Sequence, residues 1–276
     1  MPTTTVNGIR LFYELGGTGN LPLVLVHGSW GSHHGWDLVT EGLRTSFRVL
    51  AYDRRGHSAS ERPSAPGSVR EDVTDLAALI EHLGLAPAWV AGTSFGASIA
   101  LRLAAERPGL LRGVIAHEPP LFDVLTHDPG AAPMLEEVAR RIRAVVERIA
   151  SGDHAGAAEQ FVETVALGPG AWSQLTPDLK QTFIDNAPTF LDEARDPEQL
   201  AFDPAWIKAF PRPALLTTGD QSPPVFAPVV ARLRDAAPDL RVVTFSGAGH
   251  IPHVTHPDAY IETITAFIDE HATGSP

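Results

Sequence analysis

One stretch of the sequence predicts the fold: Ala88-Trp89-Val90-Ala91-Gly92-Thr93-Ser94-Phe95-Gly96-Ala97-Ser98. An apolar run leads to a serine between two glycines, and a helical pattern from Ala97 to Glu106 follows directly. This order is typical of a strand, a sharp turn and a helix, with the serine hydroxyl exposed above the carboxyl end of the strand. Gly92 and Gly96 leave the space that the strand and the helix need to pass closely. The stretch therefore makes Ser94 a candidate nucleophile.

Length and composition favour one α/β domain with an insertion. The chain has 276 residues, 43% of them hydrophobic, and it has no cysteine, which excludes thiolate catalysis and cysteine metal sites. A formal charge of −12 makes nucleic acid and anionic membranes poor partners. The sequence has no apolar run long enough to span a membrane, and Met1-Pro2-Thr3-Thr4-Thr5 does not resemble a signal peptide. We expect a cytoplasmic monomer or homodimer.

Short apolar runs alternate with helical patterns in the first part of the chain. The segment Ile9–Glu14 alternates like an edge strand. Continuous apolar runs predict buried parallel strands at Leu23–Val26, Phe47–Tyr52 and Leu111–Ala116. Between the second and third of these, Ser68 is expected to cap a helix, with Glu71 placed as in a capping box and Gly84 as the stop.

The alternation stops after Pro119-Pro120. Helical patterns without a strand between them predict a helical cap at residues 119–207, inserted into a core made of residues 1–118 and 208–276. These patterns lie at Pro133–Ile149, Ala155–Ala166 and Pro177–Asn186. Because the insertion is rich in aromatic residues, we expect part of it to line a substrate pocket. The predicted pocket residues are Trp30, Phe122, Trp172 and Phe183.

The last part of the chain returns to the strand and helix alternation. Strands are predicted at Ala214–Thr218 and Arg241–Phe245, followed by a helix at Asp258–His271. The tail Ala272–Pro276 is expected to be disordered.

Four motifs in chain order resemble those of the α/β-hydrolase superfamily. They are His27-Gly28-Ser29-Trp30, Asp53-Arg54-Arg55-Gly56-His57-Ser58-Ala59-Ser60, Gly92-Thr93-Ser94-Phe95-Gly96 and Gly247-Ala248-Gly249-His250. The resemblance covers essentially the full chain and implies the α/β-hydrolase fold, a mostly parallel eight-stranded sheet flanked by helices, with a helical cap. It implies Ser94 as nucleophile and His250 as base. The backbone N–H groups of Ser29, or alternatively Gly28, and of Phe95 are the expected oxyanion hole. We expect His27 and Asp53 to be structural.

The acid of the catalytic triad has two candidates. In most α/β-hydrolases it lies three residues beyond the glycine that ends the strand before the histidine strand, and that position is Ser222 here, with Asp220 two residues earlier. Glu118 instead follows the strand after the Ser94 helix, 24 residues beyond Ser94. This spacing resembles haloalkane dehalogenases with a displaced acid and the fungal zearalenone lactonases, which the sequence resembles most. We favour Glu118 and keep Asp220 as the alternative.

Together these residues predict a cofactor-free serine hydrolase that cleaves a carboxylic ester or lactone with an apolar, ring-bearing substrate. Serine at position 94 argues against dehalogenase and epoxide-hydrolase chemistry, which need a carboxylate nucleophile. A carbon–carbon bond hydrolase, a perhydrolase and a ligand-sensing receptor remain open. We predict no metal site. His250, His253 and His256 are spaced by three, but Pro252 and Pro257 oppose the helix that would align them.

Overall fold

The computed structural model describes residues 2–272 of the chain. Within this range eight strands form one sheet, with α-helices around it. The strands are β1 (Thr3–Val6), β2 (Ile9–Gly16), β3 (Leu21–Val26), β4 (Phe47–Tyr52), β5 (Ala88–Thr93), β6 (Leu111–His117), β7 (Ala214–Gly219) and β8 (Arg241–Phe245). The helices are α1 (Asp37–Arg44), α2 (Val69–His82), α3 (Phe95–Glu106), α4 (Ala132–Ala150), α5 (His154–Phe161), α6 (Ala171–Gln174), α7 (Pro177–Arg195), α8 (Ala205–Ala209), α9 (Phe226–Ala236), α10 (Pro252–Thr255) and α11 (Pro257–Ala272).

The sheet has the order β1-β2-β4-β3-β5-β6-β7-β8. The pairs β1–β2 and β2–β4 are antiparallel, and all later pairs are parallel. The predicted fold, a mostly parallel eight-stranded sheet flanked by helices, is confirmed. The prediction that Ile9–Glu14 is an edge strand is wrong, because the polar segment before it forms β1 and pairs outside β2 through a turn at Asn7-Gly8.

Alternate residues of the central strands supply two separate cores. In β3, Leu23 and Leu25 pack on the side of α1 and α11, whereas Val24 and Val26 pack on the side of α2 and α3. Successive side chains of a strand point to opposite faces, so an apolar strand covered on both faces buries every residue. This double coverage explains why the parallel strands have continuous apolar sequences.

The predicted start and end of helix α2 are confirmed. Ser68 caps α2, since its hydroxyl accepts a hydrogen bond from the backbone N–H of Glu71, and Gly84 follows the helix with a φ of 63°. Helix α11 ends at Ala272, and the rest of the tail that we expected to be disordered, residues 273–276, lies outside the described residues. Among the described helices, none is both long enough and apolar enough to cross a bilayer.

Between β6 and β7 the structure forms helices α4 to α8 with no strand among the described residues. We propose to treat residues 119–207 as a cap on a core of residues 1–118 and 208–276. Helix α7 is longer than predicted, because it continues past Asn186 and through Pro188 to Arg195. Its buried residues Ala187 and Phe190 pack against Trp30 of the core, which stabilises the turn that contains the proline. This packing attaches the cap to the core.

Candidate active site

Ser94 lies in the turn between β5 and α3. Its backbone has a φ of 53° and a ψ of −124°, a strained conformation for a residue with a side chain. The turn is held because the Ser94 N–H donates to the carbonyl of His117, at 2.8 Å. A Cβ added at Gly92 would overlap the carbonyl of Gly96, and one added at Gly96 would overlap the carbonyl of Val26. The two glycines are therefore required for the close contact of strand and helix.

Glu118 and His250 are brought together at the carboxyl edge of the sheet. His250 follows β8 through a glycine-containing turn, and its Nδ1 lies 2.6 Å from Oε2 of Glu118. The other carboxylate oxygen, Oε1, accepts hydrogen bonds from Thr218 Oγ1 at 2.7 Å and from the Gly219 N–H at 2.8 Å. Both side chains of the pair are buried. These contacts use both oxygens of Glu118 and fix its orientation toward the imidazole.

The surroundings of Glu118 favour its ionised form. Burial alone would raise its pKa, but the hydrogen bond from His250, the electrostatic effect of that ring and the Thr218 hydroxyl lower the pKa to about 2. The neighbouring His117 is neutral, since burial lowers its pKa to about 3. An ionised Glu118 accepts a hydrogen bond from the Nδ1–H group of His250 and leaves the other ring nitrogen, Nε2, free to accept a proton.

Asp220, the alternative acid, lies elsewhere. Its side chain is exposed, and its Oδ1 accepts a hydrogen bond from the Gly247 N–H at 2.8 Å. The carboxylate therefore stabilises the turn that precedes His250, and it has no hydrogen bond to the imidazole in the described structure.

The two expected oxyanion donors follow β3 and β5. The backbone N–H groups of Ser29 and Phe95 have no hydrogen-bond acceptor within residues 2–272. Gly28 lies against the serine, because a Cβ added there would come 3.0 Å from the Cβ of Ser94. The loop is held by His27, whose Nδ1 bonds the Gly28 carbonyl at 2.8 Å and whose Nε2 accepts from the Arg54 N–H at 3.0 Å. Burial lowers the pKa of His27 to about 3, so its ring is neutral and holds the loop.

Two largely apolar cavities meet at Ser94 and His250. The first, of about 90 Å³, is lined among others by Trp36, Phe161, Leu175, Leu179, Phe183 and Val254. The second, of about 50 Å³, is lined among others by Phe95, Phe122, Val138, Ile142 and Phe226. The ring of Phe226 stacks on the imidazole of His250, with 4.2 Å between the ring centroids. Ser94 and His250 thus face two spaces that could each take an apolar group.

Of the four aromatic residues predicted to line a substrate pocket, Phe183 lines the first cavity and Phe122 the second. The prediction is wrong for the other two. Trp30 is fully buried, and its ring packs 4.9 Å from that of Phe161. Trp172 lines neither cavity, and its ring lies 5.6 Å from the ammonium group of Lys180. These two indoles pack parts of the cap rather than facing the candidate nucleophile.

One group of side chains in the described part of the chain has the spacing of metal ligands: atoms of His117, Glu118 and His250 lie within 4.8 Å of one another. The distance of 2.6 Å between Glu118 and His250 is that of a charge-assisted hydrogen bond. The histidines spaced by three do not converge, because the ring of buried His253 lies 4.6 Å from that of Trp36, whereas Nδ1 of half-buried His256 lies 2.9 Å from the Thr255 hydroxyl.

Glu193 of α7 is a candidate functional residue that the sequence did not predict. This carboxylate is buried and accepts a hydrogen bond from the Ser29 hydroxyl at 2.5 Å. Its signal in the sequence is the spacing of polar residues Asn186, Thr189 and Glu193, which places them on one face of a helix. The residue that Glu193 contacts is distant in the sequence and could not be identified from that pattern.

Comparison with known proteins identifies the family. The model of the "Alpha/beta hydrolase family" matches residues 23–263. A 2-(acetamidomethylene)succinate hydrolase of Mesorhizobium japonicum is 26% identical over 268 residues, 91% of this chain and 89% of that protein. An acetyltransferase component of the acetoin cleaving system of Pseudomonas putida is 38% identical over 97 residues, and the match spans 35% of this chain and only 26% of that protein. A thermophilic esterase from Thermogutta terrifontis has a similar solved structure, with a TM-score of 0.76, 25% identity and coverage of 98% of this chain and 97% of that one. This chain belongs to the alpha/beta hydrolase family.

Proposed function

We propose that this protein is a cofactor-free serine hydrolase that cleaves a carboxylic ester or lactone. Ser94 is the nucleophile, His250 the base and Glu118 the acid that orients it. The observation that carries the proposal is the 2.6 Å hydrogen bond between Glu118 and His250, next to cavities that Ser94 also lines. Asp220 is not assigned a role in the reaction, because its carboxylate bonds the Gly247 N–H instead.

The hydrogen bond determines the direction of proton transfer. Because Nδ1 of His250 donates to Glu118, Nε2 is the nitrogen that accepts the Ser94 proton as the hydroxyl oxygen attacks the carbonyl carbon. The carbonyl π electrons move to oxygen and form a tetrahedral oxyanion. Collapse of this intermediate breaks the bond to the alcohol oxygen, which takes the proton from His250. Water repeats the sequence on the acyl-enzyme, and the acid product leaves Ser94 free.

The oxyanion is stabilised by the N–H groups of Ser29 and Phe95. Phe95 is the first residue of α3, so its N–H points out of the positive end of the helix dipole. The second donor is in the loop that His27 holds. Neither N–H has a protein acceptor among residues 2–272, which leaves both available for a developing negative charge.

The cavity lining supports an apolar substrate, and Phe122 and Phe183 favour one that contains a ring. Since the cavities meet at Ser94, the acyl and alcohol parts of an ester would occupy different cavities. The relative that is described as an esterase is consistent with this chemistry. A substrate of the zearalenone type stays a prediction from the sequence.

A labelling and turnover experiment tests the function. The wild-type protein is treated with a fluorophosphonate probe and assayed on a panel of aromatic lactones, enol lactones and short acyl esters. We expect one labelled site, loss of labelling and turnover in Ser94→Ala, and retention of both in the control Ser98→Ala. Ser98 is suitable because it lies one turn further along α3, buried and with no partner for its hydroxyl in the described structure. Absence of turnover by the wild-type protein across the panel, or an active Ser94→Ala, would reject the proposal.

A further inference from the structure

Helix α7 of the cap binds the core through polar side chains on one face. Asn186 donates to the carbonyls of Trp30, at 3.2 Å, and Gly31, at 2.9 Å, which lie in the loop that also contains Ser29. One turn later, the Thr189 hydroxyl lies 3.0 Å from Nε2 of His57. The side chains of Asn186 and Thr189 are both buried and uncharged. These two residues attach the helix to the core without a buried charge, whereas the residue that follows on the same face is charged.

That residue, Glu193, is only 6% exposed and contacts two residues of the core. Its Oε2 accepts from the Ser29 hydroxyl at 2.5 Å, and its Oε1 accepts from Nη2 of Arg54 at 2.6 Å. Ser29 is the residue whose backbone N–H we assign to the oxyanion hole. A carboxylate of the cap is therefore one side chain away from the atoms that would stabilise the oxyanion.

Arg54 extends the contact to the second oxyanion donor. Its guanidinium carbon lies 4.7 Å from the centre of the Phe95 ring, a cation–π contact. Its Nε also bonds Oδ1 of Asp72 in α2, at 3.2 Å. Two carboxylates thus share one buried guanidinium, with Asp192 of α7 as a further nearby acid. A buried excess of negative charge costs folding free energy, so it is an expensive way to achieve attachment alone.

We propose that Glu193 is a positioning residue that fixes the Ser29 hydroxyl and so directs the Ser29 N–H into the oxyanion hole. Fast acyl transfer then requires that helix α7 of the cap is packed against the core. The inference rests on the proposed function. It assigns to the cap a part in transition-state stabilisation in addition to substrate binding. Glu193 touches no reacting atom and acts only through Ser29 and Arg54.

The protonation state of Glu193 determines the direction of its hydrogen bond to Ser29. Burial raises the pKa of Glu193 to about 7, against the opposing effects of Arg54 and Ser29. Because Oε1 faces the guanidinium, an added proton would reside on Oε2, which faces Ser29. The Ser29 hydroxyl would then accept instead of donate, and its orientation would change. Activity should therefore fall as the pH decreases through about 7.

Glu193→Gln tests the role with almost no change of volume. Arg54 requires an acceptor, so the amide oxygen should face the guanidinium and the amide NH₂ should face Ser29, which reverses the bond. Loss of a whole oxyanion donor costs about 10²- to 10³-fold in kcat, and a misdirected one should cost less. We expect kcat to fall about tenfold, with KM within about twofold, because only the transition state carries the oxyanion.

Ser29→Ala is a second variant that leaves the Glu193–Arg54 pair in place and keeps the backbone N–H. It should lose about as much kcat as Glu193→Gln, and the double variant should lose no more than either single variant, because both remove one linkage. The acid limb of the pH profile should be less steep in Glu193→Gln than in the wild type. The control is Glu198→Gln, which removes a charge from an exposed ion pair with Arg70 and should leave kcat unchanged.

Three results would overturn the inference. They are a wild-type kcat in folded Glu193→Gln, multiplicative losses in the double variant, and an unchanged steepness of the acid limb. If Glu193→Gln does not fold, Ser29→Ala provides the test. A wild-type kcat in Ser29→Ala would also overturn the inference. Failure of the proposed function would be distinguished by another variant, since Ser94→Ala would then still hydrolyse the ester.

Discussion

Replacement of Glu118 by glutamine should inactivate the enzyme by changing which nitrogen of His250 carries a proton. The glutamine has the volume of the glutamate but one acceptor oxygen instead of two. In the structure, Oε1 accepts from Thr218 Oγ1 and from the Gly219 N–H, so the amide oxygen must take this position. The amide NH₂ then faces Nδ1 of His250. Nδ1 must become the acceptor, and the proton moves to Nε2, where it prevents the imidazole from acting as the base.

The expected loss is large because both the tautomer and the charge change. Exchange of the triad acid for its amide in serine proteases lowers kcat by about 10⁴-fold, and we expect about 10³- to 10⁴-fold here with KM within a few fold. The assay is steady-state hydrolysis of one ester from the panel, and thermal unfolding verifies that the variant is folded. The matched control is Asp220→Asn, whose amide oxygen can still accept from the Gly247 N–H. It should keep kcat within about twofold.

The comparison of the two variants decides between the two acids. If Asp220→Asn loses most of its activity while Glu118→Gln keeps nearly wild-type activity, the assignment of Glu118 as the triad acid is refuted. This result would also show that the 2.6 Å contact with His250 is not part of the working site.

Three further predictions follow from particular contacts. Phe183→Ala should lower kcat/KM for aromatic esters about tenfold, since Phe183 lines the first cavity, whereas Trp172→Ala should leave it unchanged; equal effects of the two variants would contradict the pocket assignment. Gly96→Ala should destabilise the fold by about 3 kcal/mol or prevent folding, because its Cβ would overlap the Val26 carbonyl, and a urea denaturation midpoint like that of the wild type would argue against the close packing. The pKa of Glu118 is lowered from 4.5 to about 2, so its contribution of about 3 kcal/mol is complete above pH 4.5 and is lost as the pH falls toward 2. Urea unfolding between pH 3 and pH 6 should show a shallower loss of stability in Glu118→Gln than in the wild type, and identical slopes would disprove this.

Local sequence patterns were sufficient for the elements that their own residues determine. The turn at Ser94 is such an element, because Gly92, Gly96 and the flanking apolar runs specify it within a few residues. Helix α2 is another, since its cap and its stop are adjacent to it. The first strand was missed because its sequence, Thr3-Thr4-Thr5-Val6, lacks an apolar run and is extended only through pairing with β2.

The errors and omissions in the site depend on contacts between distant parts of the chain. Trp30 was expected in the pocket, but its ring packs against those of Phe161 and Phe190 of the cap. The sequence predicted that this helix ends at Asn186, two residues before Pro188, whereas the helix continues through the proline to Arg195. Glu193 lies beyond that proline, 164 residues from Ser29, and no local pattern pairs two such positions. The packing of the cap on the sheet determines which side chains of the cap contact which loops of the core.

The position of β7 explains why an acid can follow β6. In the sheet β7 lies between β6 and β8, so its carboxyl end separates Glu118 from the turn that carries His250. Instead of supplying the carboxylate, this end supplies two donors, Thr218 Oγ1 and the Gly219 N–H, which bind one oxygen of Glu118 and direct the other to the imidazole. Asp220, the next residue, is turned toward the Gly247 N–H and stabilises the loop before His250. The end of β7 therefore supports the proposed acid, Glu118, instead of supplying a carboxylate of its own.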